Sequence, residues 1–183
     1  MPTHIALLRA INVGGYGKLA MADFRSLLAG LGYTNVETYI QSGNAVFDAK
    51  DTAASVHKAV TIALSNHMGT PAEVVLRSHS DLARIIDENP FAKEAAESGG
   101  RVHVGFLAGK TKPNAAAELE RLVASYPTRC DSFHLTAGAL YLHLPDGAAD
   151  TKFTPRAVER ALGVPSTARN WNTVLKLHAM SAR

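Results

Sequence analysis

The first half of the chain places apolar residues at helix and strand spacings. Phe24, Leu27, Leu28 and Leu31 fall at i, i+3, i+4 and i+7, which predicts a helix that Gly32 stops. Two short apolar runs on either side of a Ser-Gly turn predict a hairpin. The predicted elements are a strand over 4–9, a helix over 21–31, hairpin strands over 36–41 and 44–47, a helix over 52–67, a strand over 73–77 and a helical stretch over 81–88.

The second half repeats this order of elements without repeating the residues. Its predicted elements are a strand over 101–107, a helix over 115–124, hairpin strands over 131–136 and 140–144, a helix from Thr154-Pro155 to Gly163, a weak strand near 167–169 and a last helix to about 180. Strand, helix, hairpin, helix and strand form the split βαβ, or ferredoxin-like, pattern. We therefore predict an α/β (α+β) fold of two ferredoxin-like lobes, 1–97 and 98–183, with antiparallel or mixed sheets, helices on one face and an extra terminal helix in the second lobe.

Alternation along the hairpins predicts which side chains face the helices. These are Val36, Thr38, Ile40, Ala45 and Phe47 in the first hairpin, and Phe133, Leu135, Leu140, Leu142 and Leu144 in the second. The opposite faces carry polar residues with Tyr39 and Tyr141. Such open faces meet solvent, form a domain contact or bind a partner, and the pattern does not choose among these.

The composition of the chain indicates its cellular compartment more clearly than its function. The chain is 46% hydrophobic with a net charge of +3, which is far less basic than nucleic-acid binding alone demands. The single cysteine, Cys130, cannot form an internal disulfide. No apolar run approaches the ~20 residues needed to span a bilayer, and residues 1–11 resemble a first strand and not a signal peptide. We therefore expect a cytoplasmic protein with no membrane partner.

The glycine-rich segment from Arg9 to Lys18 follows the first predicted strand. Backbone N–H groups in such a loop can meet an anion, and Arg9 or Lys18 can add positive charge. Gly14, Gly15 and Gly17 match neither the P-loop nor the dinucleotide-binding spacing. The alternative is a turn in which glycine supplies a positive φ.

Two further segments allow both a structural and a functional interpretation. Gln41-Ser42-Gly43-Asn44 is typical of a hairpin turn. Arg169-Asn170-Trp171-Asn172 contains the only tryptophan of the chain. Either an asparagine caps the last helix while Trp171 packs in the core, or Arg169 and an asparagine present polar groups to a ligand.

No constellation of catalytic or metal-binding residues stands out. His103, His134 and His143 are candidates for one open face, and three histidines can bind zinc. However, the chain lacks any closely spaced histidine pair, so we predict no metal and no cofactor. Catalytic residues cannot be assigned, and whether the protein is an enzyme stays open.

Several motifs resemble one bacterial family over nearly the whole chain. They are Leu8-Arg9-Ala10-Ile11-Asn12-Val13-Gly14-Gly15, Met21, the Tyr39–Asn44 hairpin and Thr167-Ala168-Arg169-Asn170-Trp171-Asn172-Thr173-Val174. The sequence resembles the DUF1697 family, a domain of unknown function, and departs from it at Ala10, where glycine is expected. The resemblance implies a cytosolic bacterial protein built from ferredoxin-like units, and it implies no activity, substrate or cofactor.

The sequence thus favours binding of a small anionic or phosphate-bearing ligand. The candidate ligand-binding residues are Arg9, Asn12, Gly14, Gly15, Lys18, Gln41, Ser42, Asn44, Arg169, Asn170 and Asn172. This hypothesis expects the three segments to converge in one pocket. The alternatives are a nucleic-acid-binding module that stacks bases on exposed tyrosines, and an interaction domain without catalysis. The oligomeric state is left open.

Overall fold

The structure, a computed structural model, describes residues 1–12, 17–126 and 129–183. It forms two compact units: the first unit is Met1–Ala83 with Lys176–Arg183, and the second unit is Arg84–Leu175. The lobes expected at 1–97 and 98–183 stay a prediction, because compactness alone does not show which segments fold independently.

The first unit has a four-stranded antiparallel sheet in the order β2-β3-β1-β4. Its elements are β1 (Thr3–Leu8), α1 (Met21–Gly30), β2 (Thr34–Tyr39), β3 (Asn44–Asp48), α2 (Ala53–Met68) and β4 (Val74–Ser78), and α3 (His79–Asp87) begins in it. The first strand lies between β3 and β4 and pairs with both. This is the strand arrangement that a split βαβ unit produces.

The second unit repeats the same topology in the order β6-β7-β5-β8. Its elements are α4 (Ala92–Glu97), β5 (Val102–Leu107), α5 (Ala115–Ala124), β6 (Ser132–Leu135), β7 (Ala139–His143), α6 (Pro155–Leu162) and β8 (Ser166–Asn170), followed by α7 (Trp171–Ser181). The predicted mixed fold with two antiparallel sheets is confirmed. The weak strand expected near 167–169 is present as β8, which pairs with β5.

Helix ends follow the local sequence signals. Thr52 caps α2, because its hydroxyl accepts a hydrogen bond from the Ser55 N–H at 3.3 Å. Thr154 caps α6 in the same way, with Pro155 in the first turn. Gly163 ends α6 at φ 73°, in the left-handed conformation that glycine adopts without strain.

Each unit has its own hydrophobic core between one sheet face and two helices. In the first unit, Ala45 and Phe47 of β3 pack in one cluster with Phe24 of α1 and Val60 of α2. In the second unit, Leu140 and Leu142 pack with residues of α5 and α6 in the same way. The predicted helix-facing residues Phe133, Leu135 and Leu144 also belong to this core.

Three predictions about strand faces are wrong. Ile40 does not face the helices: β2 ends at Tyr39, and Ile40 adopts φ 48° in the turn. Tyr141 does not lie on an open face, because it is buried and its hydroxyl donates a hydrogen bond to the Ile85 carbonyl at 2.9 Å. His103 does not share a face with His134 and His143, because it is paired with Leu142 while His143 is paired with Val102.

The sheet of the first unit brings two loops to one end. The Leu8 N–H, at the end of β1, donates to the Gly43 carbonyl at 2.8 Å. The next N–H, that of Arg9, donates to the Glu73 carbonyl just before β4 at 3.0 Å. Antiparallel pairing therefore holds the loop after β1 beside the turn between β2 and β3.

Across the described residues, no helix combines the length and the apolar character that crossing a lipid bilayer requires.

Two histidines should make the stability of the protein depend on pH. Burial lowers the pKa of His4 below 6.5, although nearby Asp48 opposes this shift. Burial also lowers the pKa of His103, against a hydrogen bond with the Arg101 backbone. Above about pH 6.5 both rings are neutral in the folded and unfolded chain, whereas below it the unfolded chain takes up protons first. Urea unfolding should therefore show stability falling from pH 7.5 to pH 5.0.

The histidine variants identify the source of this dependence. His4→Gln should reduce the change in unfolding free energy between pH 7.5 and pH 5.0, whatever its effect at pH 7.5. His134→Gln serves as the matched control, since His134 is exposed. An unchanged pH dependence in His4→Gln would show that the buried ring at position 4 is not responsible.

Candidate functional site

The predicted site residues of the first unit lie together at one end of its sheet. We call residues 9–12, 17–19 and 40–43 the rim. Gly14 and Gly15, which the sequence also predicted, lie outside the described residues. Two elements position the rim: β1 ends at Leu8, and the turn between β2 and β3 follows at 40–43. The rim therefore contains Arg9, Asn12, Lys18, Gln41 and Ser42 of the predicted set, with Asn44 directly beneath it.

The side chain of Asn12 joins three backbone segments of the rim. Its Nδ2 donates to the Leu19 carbonyl at 2.9 Å and to the Gln41 carbonyl at 2.7 Å. Its Oδ1 accepts a hydrogen bond from the Leu19 N–H at 3.0 Å. Because a carboxamide has two N–H hydrogens, these contacts occupy both of them. Asn12 therefore positions the rim and has no N–H left to offer a ligand.

Asn44 fixes the hairpin turn from below. It is fully buried, and its Nδ2 donates to the Tyr39 carbonyl at 2.9 Å and to the Ser42 hydroxyl oxygen at 3.0 Å. Both amide hydrogens are again occupied. In both asparagines of this unit that the sequence predicted to bind ligand, the amide hydrogens bond within the chain, and their contact with a ligand stays a prediction.

Left-handed backbone recurs along the rim at residues other than glycine. Ala10 has φ 54°, Asn12 has φ 56° and Ile40 has φ 48°. Asparagine tolerates this region, whereas a β-branched residue there is an outlier. Strained positions of this kind persist only where the surroundings over-determine them. Here the surroundings are the two asparagine amides.

Close packing requires two glycines near the rim. A Cβ at Gly17 would lie 2.6 Å from the Ala10 carbonyl oxygen, and Gly17 has φ 62°. A Cβ at Gly43 would lie 2.8 Å from the Leu8 Cβ. At both positions, the turn geometry and the close packing therefore require glycine.

Two cations flank this fixed backbone. Lys18 is exposed and Arg9 is half-buried. Lys18 lies between Gly17, whose carbonyl accepts the Asn12 N–H at 3.1 Å, and Leu19, which Asn12 also binds. The exposed side chain of Gln41 adds an amide. This arrangement can hold an anion by charge and hydrogen bonds.

The Arg169–Asn172 segment belongs to the second unit. Arg169 is 6% exposed, its Nη1 donates to the Thr167 hydroxyl at 2.7 Å, and burial lowers its pKa to about 10. Asn170 caps α7, because its Oδ1 accepts the Thr173 N–H at 2.9 Å. Asn172 is exposed, and Trp171 is buried. The expected convergence of this segment with the other two in one pocket stays a prediction.

No cluster of three or more histidine, cysteine, aspartate or glutamate side chains suited to a metal ion occurs among the residues that the structure describes.

Sequence reasoning missed Ile40 as a member of the rim. It is 49% exposed, beside Gln41. A β-branched residue next to a strand favours more strand, so the pattern placed Ile40 inside the sheet. Ile40 lies in the turn because its backbone is left-handed, a conformation that the sequence does not indicate at an isoleucine.

Comparison with known proteins identifies relatives and a shared fold. A sequence model of the family described as "Protein of unknown function (DUF1697)" matches residues 1–141. No curated protein matches the chain. The solved structure of the conserved bacterial protein SP0830 from Streptococcus pneumoniae is similar, with a TM-score of 0.69, 22% sequence identity and 98% of each chain covered. At that identity the likeness shows the fold alone.

Removing the Asn12 carboxamide should loosen the rim. Asn12→Ala deletes three hydrogen bonds, and we expect a loss of about 2 kcal/mol in the free energy of unfolding. Asn12→Asp should be similarly destabilised, because it keeps the acceptor for the Leu19 N–H but turns an oxygen toward two carbonyls. Thermal unfolding of Asn114→Ala is the control, since the Asn114 side chain makes one exposed 3.3 Å bond. Equal melting of all three variants would contradict the role of Asn12.

Substitutions at two left-handed positions should have opposite effects on the stability of the protein. Ala10→Gly should stabilise the protein by up to about 1 kcal/mol, because relief of strain exceeds the added entropy of the unfolded chain. Gly17→Ala should destabilise it by more than about 1 kcal/mol, since its Cβ meets the Ala10 carbonyl oxygen. Gly30→Ala is the control, because no atom lies within 4 Å of its Cβ and its φ is negative. A loss of stability in Ala10→Gly, measured by urea unfolding, would be the contrary result.

Proposed function

The chain belongs to the DUF1697 family, whose function is unknown, and on that premise we propose that its rim binds a small anionic, phosphate-bearing ligand. The observation that carries the proposal is the Asn12 amide network, which ties residue 12 to Leu19 and Gln41 beside the two cations Arg9 and Lys18. A site fixed before binding loses less conformational entropy when the ligand arrives. Preformed sites with a few placed polar groups are typical of small-molecule binding.

The second unit provides an internal comparison for Arg9. In each unit, the residue after the central strand donates its N–H to the carbonyl just before the last strand. Arg9 donates to Glu73 in the first unit, and Ala108 donates to Pro165 in the second, each at 3.0 Å. The same fold position is therefore occupied equally well by alanine. The equivalent position thus accepts an uncharged residue in the second unit, and the positive charge of Arg9 in the first unit suits an anionic ligand.

Backbone strain in the rim also supports a binding role. Ala10 and Asn12 both have left-handed φ values. Strained residues of this kind cluster at functional sites such as ligand-binding loops.

The nucleic-acid alternative has less support than the sequence indicated. Base stacking was expected on Tyr39 and Tyr141, and Tyr141 is buried with its hydroxyl bonded to Ile85. Burial raises the pKa of Tyr141 to about 12, with Glu88 adding to the shift. Tyr39 is half-buried. A short RNA is therefore included among the probes of the ligand screen.

We also propose the setting that the sequence predicted. The protein acts in the bacterial cytoplasm, and its two units are ferredoxin-like. The strand orders β2-β3-β1-β4 and β6-β7-β5-β8 support the second of these statements.

Ligand screening by thermal unfolding tests the proposal. The probes are inorganic phosphate, ribose 5-phosphate, phenyl phosphate, AMP and a short single-stranded RNA. A probe present at ~100 times its Kd should stabilise the wild type by about 2.7 kcal/mol. Lys18→Ala and Arg9→Ala should each weaken binding of the active probe by about tenfold, since each removes a charge-assisted hydrogen bond.

Lys58→Ala is the matched control. Lys58 is exposed on α2, which follows the opposite end of β3 from the rim, so its charge should not affect binding. Stabilisation by RNA with a strong salt dependence, and by none of the small probes, would favour the nucleic-acid alternative. Stabilisation that Lys18→Ala and Arg9→Ala leave intact would place the ligand elsewhere.

A further inference from the structure

Ile40 is the rim residue whose presence the fold does not explain. It combines a β-branched side chain with φ 48°, a combination that sterics disfavour. Its side chain is 49% exposed, so it gains little from burial. An asparagine or a glycine would adopt the same backbone with less strain. Isoleucine at position 40 therefore lowers the stability of the fold, because burial of its side chain does not offset the backbone strain.

The neighbouring bonds hold Ile40 in this conformation. The carbonyl before it, on Tyr39, accepts from Asn44 at 2.9 Å. The carbonyl after it, on Gln41, accepts from Asn12 at 2.7 Å. The Tyr39–Ile40 peptide group is thus held by the Asn44 amide, and the Gln41–Ser42 peptide group, one residue further on, is held by the Asn12 amide. Two asparagine side chains thus bond the turn from which this apolar side chain is exposed at the surface.

We infer that the ligand of the rim carries an apolar group next to its phosphate, and that Ile40 contacts this group. The inference rests on the proposed function of the rim. It narrows the ligand to a phosphate ester of an aromatic or aliphatic group, as distinct from free phosphate or a polar sugar phosphate. Residues that reduce stability are retained where function uses them.

The arrangement of the rim brings the two kinds of contact together. Gln41 follows Ile40 and is bonded to Asn12, and Asn12 is bonded to both neighbours of Lys18. A small molecule that reaches both Lys18 and Ile40 would meet a cation and an apolar group at once. Covering the exposed half of an isoleucine corresponds to roughly three- to tenfold in affinity.

Titration calorimetry with phenyl phosphate and inorganic phosphate tests the inference on the full chain. The wild type should bind phenyl phosphate at least threefold more tightly than inorganic phosphate. Ile40→Asn should keep the affinity for inorganic phosphate and lose the preference for phenyl phosphate. Without ligand, Ile40→Asn should unfold at the same or a higher temperature than the wild type. Ile40→Gly provides a second variant that relieves the same strain.

Ile62→Asn is the matched control, because Ile62 is 50% exposed but lies in α2. It should leave the preference for phenyl phosphate unchanged and lower the unfolding temperature.

The outcomes separate the two proposals. Equal binding of both probes by the wild type, or a preference that survives in Ile40→Asn and Ile40→Gly, would overturn the inference and leave the anion site standing. Reduced stability of both Ile40 variants without ligand would also overturn it, since Ile40 would then serve the fold. If neither probe binds the wild type, the proposed function fails and the inference fails with it.

Discussion

Two hydrogens and one oxygen of the Asn12 side chain join the loop after β1 to the turn between β2 and β3. The Leu19 carbonyl and N–H lie on one side of this connection and the Gln41 carbonyl on the other. Antiparallel pairing brings the two segments to the same end of the sheet, but pairing alone does not fix the shape of either loop. The Asn12 carboxamide links residue 12 to Leu19 and to Gln41, beside Arg9 and Lys18. Each further property of the rim depends on this connection.

The rim also shows where the chain gives up stability. Ala10 and Ile40 have positive φ values, although glycine or asparagine would adopt them with less strain. In α2, local sequence and structure agree: Thr52 caps the helix, and Gly69 ends it at φ 67°. Among the described residues, four other than glycine have positive φ values, Ala10, Asn12, Asn35 and Ile40, and three of these lie in the rim. Such a distribution is expected where binding and folding make different demands on one segment.

The two units have one topology and different chemistry. Each contains a four-stranded antiparallel sheet of the same strand order with a core on one sheet face, and the equivalent backbone bonds of Arg9 and Ala108 show how closely the units correspond. The turn of the second unit closes on itself, because the Thr136 hydroxyl oxygen accepts from the Ala139 N–H at 3.1 Å. The turn of the first unit is instead tied to a separate loop by Asn12. The hairpin turn of the first unit thus gains a connection, through Asn12, to a separate loop that carries Arg9 and Lys18.

The sequence by itself determined the order of the strands, most of the helices and most of the core, because apolar spacing and helix caps are local signals. It left the sheets antiparallel or mixed and did not predict α4. It also placed Arg9, Asn12, Lys18 and the Gln41–Asn44 turn in one candidate site. Tertiary structure decided what each residue does there. Asn12 positions backbone because its partner Gln41 comes from a distant segment, whereas Asn44 fixes its own hairpin turn. Ile40 lies in that turn with φ 48°, and the buried Tyr141 satisfies its hydroxyl by donating to the Ile85 carbonyl. A periodic pattern records which face a side chain occupies, and it cannot record hydrogen bonds between segments that only the folded chain brings together.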